Sequence, residues 1–459
     1  MTLNQYLKSL NGKQIAVVGI GVSNVPLIRL LRTANISVTA CDKKDRAALV
    51  DIAAELEQLG CKLKLGENYL KDLEADVVFR TPGLHPRYLE AVQKQGSIIT
   101  SEMEVFFEVC PCPIIAITGS DGKTTTTTMI AGMLRAAGKT VHLGGNIGHP
   151  LLADAESIRE DHFAVVELSS FQLMTMNKSP IRAVLTNLSP NHLDVHTDMD
   201  EYVNAKKAIF SYQPENGLLI TNLDNEISRT VSAGANGKVN YFTRQNPESI
   251  ANGCFVRDHG IWYRADGAER CVLPLEDILL PGTHNIENFM AAVCAVQGLV
   301  DDETIRAFAR TFGGVEHRIE LVRERRGVRW YNDSIASSPS RTIAGLKSFS
   351  QRIILIAGGK DKGISYDEIG PFINDHVKFL ILCGATADVI RKATLNAENY
   401  SGLEIVEVKD YSSAIALADA HAQEGDIVML SPASTSFDRF KNFEERGRVF
   451  KELVRQLPE

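Results

Sequence analysis

The residues best suited to chemistry in this chain sit in one glycine-rich turn, Thr118-Gly119-Ser120-Asp121-Gly122-Lys123-Thr124-Thr125. It follows an apolar run, Pro113–Ile117, and opens a helical stretch that starts near Met129. Glycines let a backbone wrap a phosphate, a lysine reaches β- and γ-oxygens, and a threonine hydroxyl can hold Mg²⁺. Ile117 stands where the usual GxxxxGK spacing has its first glycine, so this loop is shorter and has its glycine at 119. The chemistry implied is ATP binding.

Further groups fall at strand ends downstream. Ala164-Val-Val-Glu167 closes on a carboxylate, a position that suits a Mg²⁺ ligand at the carboxyl edge of a parallel sheet. His192, in Pro190-Asn-His-Leu-Asp194, follows another strand end and is either a ligand or a structural histidine. A helix starting near Asp198 or Asp200 carries Lys206 and Lys207. Tyr202, Lys206 and Ile209 share one face, while Val203, Lys207 and Phe210 share the next. Periodicity therefore leaves open which lysine turns inward, where burial would lower its pKa and free its amine.

Two more strands run into glycine turns. Gly19-Ile-Gly21-Val22-Ser23-Asn24 has the first two glycines of GxGxxG and Asn24 at the third, with Asp42 at about the spacing of a ribose-binding carboxylate. An anionic nucleotide at this helix N-terminus fits better than nicotinamide. Arg352-Ile-Ile-Leu-Ile-Ala-Gly-Gly-Lys-Asp-Lys362-Gly is the third such turn.

The elements that must position these groups read as α/β throughout. Short β-branched runs ending in glycine, each followed by a helical stretch, predict mainly parallel sheets buried on both faces. The stretch 239–280 is shorter-stranded and turn-rich. Length, 459 residues, predicts about three domains. The junctions fall before the amphipathic Glu102–Val109 and at Gly313-Gly314, giving 1–101, 102–314 and 315–459. The first and third read as Rossmann-like and the central one as a P-loop-type ATPase. A net charge of −8 argues against a general nucleic-acid binder. The eight cysteines are scattered without zinc spacing and read as reduced thiols. The N-terminus lacks a signal-peptide core, and no run reaches the roughly 18 apolar residues of a membrane span. A soluble cytoplasmic protein is expected.

Taken in order, the segments resemble the Mur ligase family. They are Thr118–Thr125, Gly144-Gly-Asn146-Ile-Gly, Glu167-Leu-Ser-Ser-Phe-Gln-Leu173, Asn191-His-Leu-Asp, Tyr202-Val-Asn-Ala-Lys206, Gly282-Thr-His-Asn285-Ile-Glu-Asn288, His317-Arg318-Ile-Glu, Trp330-Tyr-Asn-Asp333-Ser and Ser431-Pro-Ala-Ser…Phe437-Asp-Arg-Phe-Lys-Asn-Phe443. The glycine-lysine-threonine loop is shared with folylpolyglutamate synthetases, whereas Glu167–Leu173 is narrower and is similar to the branch that adds D-glutamate. The resemblance implies an N-terminal domain for a UDP-sugar, a central ATPase, and a C-terminal domain that closes and receives the amino acid. The implied reaction joins D-glutamate to UDP-N-acetylmuramoyl-L-alanine through an acyl phosphate, releasing ADP and phosphate, in peptidoglycan precursor synthesis.

It also implies roles. Gly119, Ser120, Asp121, Gly122, Lys123, Thr124 and Thr125 would cradle ATP, with Thr124 and Glu167 on the first of two Mg²⁺. His192 and a carbamylated Lys206 would hold the second. Asn285, Asn288, Arg318 and Asp333 would meet the rest of the nucleotide. Gly21, Val22, Ser23, Asp42 and Asn146 would bind the UDP-sugar. Lys362, Ser431 and Phe437 would face D-glutamate. One position departs from the family pattern: Ile335 follows Asn332-Asp-Ser where a lysine is common. Arg341 would then supply the missing cation, because a dicarboxylate needs one. A monomer acting on small molecules, without nucleic acid or membrane, is expected. The rival readings are another Mur-type or folylpolyglutamate synthetase-like ligase with a different acceptor, a small-molecule kinase and a nucleotide-binding regulator. Phe171-Gln172-Leu173 and the complete N-terminal glycine-turn domain stand against the folylpolyglutamate reading.

Overall fold

The computed structural model describes residues 1–192, 195–361 and 363–458. Its strands form three sheets. The first contains β1 (Ile15–Val18), β2 (Val38–Asp42), β3 (Lys62–Leu65), β4 (Val77–Arg80) and β5 (Ile98–Thr100), all parallel, in the order β3-β2-β1-β4-β5. The second contains β6 (Ile114–Thr118), β7 (Val141–Gly145), β8 (Phe163–Glu167), β9 (Arg182–Leu185), β10 (Leu218–Asn222), β11 (Lys238–Thr243), β12 (Gly253–Arg257), β13 (Gly260–Ala265) and β14 (Ala268–Pro274). Their order is β14-β13-β12-β11-β10-β9-β6-β8-β7. Here the turn-rich stretch is an antiparallel meander, β12-β13-β14, on the edge of an otherwise parallel sheet. The third contains β15 (Glu320–Arg325), β16 (Val328–Asn332), β17 (Ile353–Ala357), β18 (Val377–Leu382), β19 (Glu404–Glu407) and β20 (Ile427–Leu430), ordered β15-β16-β20-β17-β18-β19. Only its β15-β16 pair is antiparallel.

Every residue of β1, β4, β6 and β17 is buried, as strands covered on both faces must be. The chain packs into two compact units: Met1–Asp277 with Ile286–Ala309, and Ile278–Asn285 with Arg310–Glu459. The first unit holds two sheets because they share one core. It runs from Val17 and Phe79 through Phe106 and Val109 of helix Glu102–Val109 to Ala116, Val166 and Leu185.

The connectivity gives each glycine turn a place. In a doubly wound sheet, ligands bind beyond the carboxyl end of the strand where the order reverses. Those strands are β1, flanked by β2 and β4; β6, flanked by β8 and β9; and β17, flanked by β18 and β20. They are the strands that run into Gly19-Ile-Gly21, Gly119–Gly122 and Gly358-Gly359.

Candidate active site

The central turn is built by two residues that need glycine. Gly119 has φ 148° and Gly122 φ 76°. A Cβ on Gly119 would lie 1.9 Å from Thr186 Oγ1, and one on Gly122 2.3 Å from Asn288 Oδ1. The cradle therefore closes only without side chains. Neighbouring strand ends hold it from outside. The Ser120 amide donates to Asn187 O at 2.8 Å, the Asp121 amide to Asn187 Oδ1 at 3.0 Å, and Thr186 Oγ1 to Asp121 O at 2.6 Å. Helix Lys123–Ala136 begins at once, despite five successive threonines of modest helix propensity. Packing overrides propensity: Thr126, Thr127, Met129, Ile130, Met133 and Leu134 are buried.

The chemistry-bearing side chains converge on this loop. Lys123 Nζ donates to the carbonyls of Gly119 and Ser120 at 3.0 and 2.8 Å. Thr124 Oγ1 donates to Glu167 Oε2 at 2.7 Å, and Asn146 Nδ2 donates to Glu167 Oε1 at 2.7 Å. Glu167 ends β8 at 1 % exposure. The next four residues explain the motif. Ser169 caps the short helix Ser170–Leu173, and the Gln172 side chain bonds back to the Ser169 amide. This reciprocal capping fixes the direction in which the chain leaves Glu167.

Lys206 turns inward. It lies with Tyr202, Ala205, Ile209 and Phe210 on the buried side of helix Met199–Ser211. Its ammonium donates to Thr118 Oγ1 at 3.1 Å and Gly119 O at 2.8 Å. Burial, then the like charge of Lys123, hold its pKa well below the usual lysine range, against the pull of Glu167 and Asp121. The Tyr202 ring lies 5.0 Å from Lys206 Nζ, and its hydroxyl meets Ser120 Oγ at 2.9 Å. His192 is exposed, with φ 55°, and its ring stands edge-on to Phe171 at 5.1 Å. Among the described residues, no group of three or more His, Cys, Asp or Glu side chains is gathered to hold a metal. The oxygens of Thr124 and Glu167 nonetheless form a hard donor set of the kind Mg²⁺ accepts.

A second cleft in the first unit, about 300 Å³, is lined by Val22, Ser23, Thr81, Pro82, Gly83, Asn146 and Gln172 among others. It brings Asn146 to the first glycine turn. Gly21 and Asp42 are not among its lining residues. The Asp42 carboxylate accepts from the amides of Ile20 and Lys44, at 2.6 and 2.8 Å. Asn24, at the third glycine position, is buried and donates to the carbonyls of Val18 and Gly19 at 3.1 and 3.0 Å.

In the second unit, Asp333 is buried and accepts from Ser431 Oγ at 2.7 Å and the Ile319 amide at 3.3 Å. Burial pushes its pKa up to about 7, against these bonds and the charges of Arg318 and Arg341. Arg318 and Arg341 are exposed, and Arg341 Nη1 donates to Ile335 O at 3.2 Å. Phe437 is 62 % exposed. Asn285 donates to Pro281 O at 2.7 Å. In the first unit, Asn288 accepts from Thr126 Oγ1 at 3.3 Å. Lys362 lies outside the described residues. Thr186 and Asn187, which hold the loop from the end of β9, are missed by the sequence reading, where only their position marks them; Tyr202 enters it as a neighbour of Lys206 and not as a holder of the loop.

The turn, its carboxylate and the buried lysine meet at the carboxyl edge of a mainly parallel α/β sheet. Comparison with known proteins supplies the class. The profile of the Mur ligase middle domain matches residues 117–296, and that of the Mur ligase glutamate ligase domain matches 317–434. A UDP-N-acetylmuramoylalanine–D-glutamate ligase of Acetivibrio thermocellus is 50 % identical over 463 residues, covering 99 % of each chain. Its counterpart in Ruminiclostridium cellulolyticum is 49 % identical, also covering 99 % of each chain. Among solved structures, a UDP-N-acetylmuramate-alanine ligase from Thermotoga maritima shares the fold with a TM-score of 0.56 at 16 % identity, over 97 % of this chain and 100 % of that one. The chain belongs to the Mur ligase family of ATP-dependent, amide-forming ligases. No helix among the described residues is long and apolar enough to cross a membrane.

Proposed function

We propose that this chain joins D-glutamate to UDP-N-acetylmuramoyl-L-alanine at the expense of ATP, as a cytoplasmic monomer in peptidoglycan precursor synthesis. The observation that carries the reading is the meeting of Thr124, Asn146 and Glu167 beside the Gly119–Gly122 cradle, with the Lys123 and buried Lys206 ammonium groups both bonded to that loop.

The UDP-sugar occupies the cleft of Val22, Ser23 and Asn146, within the N-terminal domain 1–101 and its junction with the central domain 102–314. Loop amides from Gly119 to Thr125 and the Lys123 ammonium bind the ATP phosphates. Asn285, Asn288, Arg318 and Asp333 meet the remainder of the nucleotide. Thr124 and Glu167 would hold one Mg²⁺, and His192 with a carbamylated Lys206 would hold the other. Mg²⁺ bound there would offset the repulsion between the substrate carboxylate and the triphosphate. Asn146 orients that carboxylate as its oxygen attacks the γ-phosphorus, the bond to the β-phosphate oxygen breaks, and ADP leaves. Lys123 follows the charge that develops on the transferring group. The D-glutamate nitrogen then attacks the acyl carbon, loses a proton, and expels inorganic phosphate. Ser431, Phe437 and Lys362 of the C-terminal domain 315–459 receive the amino acid.

The test is phosphate release with UDP-N-acetylmuramoyl-L-alanine against a panel of D- and L-amino acids. Release that depends on D-glutamate is expected. Release without any amino acid, or with L-glutamate on a folate acceptor, would overturn the reading. Arg341, next to the departure at Ile335, anchors a D-glutamate carboxylate. Arg341→Ala is expected to raise the D-glutamate KM about tenfold, the loss of one charge-assisted hydrogen bond, with the ATP KM unchanged. An unchanged D-glutamate KM removes Arg341 from the site.

A further inference from the structure

Arg80, the last residue of β4, is fully buried at 0 % exposure. A guanidinium stays charged at any working pH, and an uncompensated buried charge is strongly destabilising, so its donors need partners. Nη1 donates to the carbonyls of Pro82 and Leu84 at 3.1 and 2.7 Å, and more weakly to that of Thr81 at 3.4 Å. Nη2 donates to Phe171 O at 2.8 Å and Thr175 Oγ1 at 3.1 Å. Thr175 Oγ1 in turn donates to the Glu104 carboxylate at 3.2 Å. One side chain thus ties loop 81–84, which follows β4 of the first sheet, to the turn 169–175, which follows β8 of the second.

Both tied segments line the cleft assigned above to the UDP-sugar: Thr81, Pro82 and Gly83 from one, Gln172 from the other. The Arg80 Nε has no hydrogen-bond partner, and neither does Asn24 Oδ1. Both residues line a smaller cavity that shares Ser23, Pro82, Gly145, Pro150 and Gln172 with that cleft. The phosphate loop is held by a separate set, Thr186, Asn187 and Ser189, none of which Arg80 touches.

We propose that Arg80 is a positioning residue for the nucleotide-sugar, holding loop 81–84 and the Gln172 turn in register as two walls of its cleft. The inference rests on the proposed reading of that cleft. A lysine keeps the charge but cannot bridge both walls, because its single ammonium replaces a two-armed fork.

Arg80→Lys is expected to raise the KM for UDP-N-acetylmuramoyl-L-alanine about tenfold or more, with the KM values for ATP and D-glutamate within about twofold. Thr175→Val removes one of the bridge's bonds and should move the same KM less. A folded Arg80→Lys with unchanged nucleotide-sugar KM overturns the proposal, as does a fall in kcat with every KM unchanged. If Arg80→Lys does not fold, Thr175→Val decides, and an unchanged KM there is equally fatal. Calorimetric binding of the nucleotide-sugar separates this inference from the ligase reading. Wild-type protein that binds it without turnover overturns the ligase reading and leaves the Arg80 comparison to be read as affinity. Equal affinity in wild type and variant overturns Arg80 alone, and no binding by wild type overturns both.

Discussion

Lys123→Ala is expected to lower kcat by about a thousandfold or more while the protein stays folded. The ammonium is held within 3.0 Å of two loop carbonyls, on the cradle proposed to take the phosphates. Phosphoryl transfer leaves the protein little covalent chemistry, so charge placement carries most of the rate. Removing one preorganised donor from such a site typically costs two to three orders of magnitude, and a full positive charge lies at the upper end. Lys123→Arg should recover little. The carbonyls of Gly119 and Ser120 accept from one compact ammonium, and a planar fork cannot occupy the same point. Phosphate release in the presence of all three substrates measures the effect, and circular dichroism checks the fold. A variant within tenfold of wild type would mean that this loop does not bind the transferring phosphate.

Much of this arrangement was legible in the sequence, for physical reasons. A strand buried on both faces reads as a short apolar run, and a glycine turn after it is punctuation that side chains cannot imitate. That made β1, β6 and β17 and their turns visible. Strand order was not visible, because neighbours in a sheet are set by tertiary packing. That all three turns follow a reversal strand emerges only from the topology. The helix at 199–211 shows the limit of periodicity. Its buried side, Tyr202, Ala205, Lys206, Ile209 and Phe210, is broad enough to take in members of both rows, so the apolar pattern alone could not tell Lys206 from Lys207. Asp42 shows another limit. Its carboxylate oxygens accept from the amides of Ile20 and Lys44, a local geometry that spacing does not encode. Arg80 reads in sequence as an ordinary charge at a strand end, and only its burial and its bonds to segments far apart in the chain, at Leu84 and Phe171, reveal a bridge.

Lys206→Ala is the sharper test of the site's electrostatics. The wild-type amine is buried, and its pKa is pushed down first by burial and then by Lys123. A lysine so placed has a larger neutral fraction at physiological pH, and only the neutral amine attacks CO₂. In the proposed carbamate the ammonium gives up one proton, the neutral nitrogen bonds to carbon and loses a second, and an anion replaces a cation beside Lys123. That reversal would remove a like-charge repulsion and add oxygens next to the Lys123 ammonium. Lys206→Ala is expected to retain under about 1 % of wild-type activity, and so is Lys206→Arg, which fixes the positive charge. Removing the long side chain from a 2 % exposed position leaves room for a small anion. Formate or acetate should therefore restore part of the Lys206→Ala activity with saturable dependence. The same acids should do nothing for Lys206→Arg, whose side chain fills the space, or for Lys123→Ala, whose defect lies elsewhere. Incorporation of labelled CO₂ into wild type and not into Lys206→Ala gives a readout independent of turnover. Full activity in Lys206→Ala, or equal rescue of Lys123→Ala by the same acids, would remove the carbamate from the mechanism.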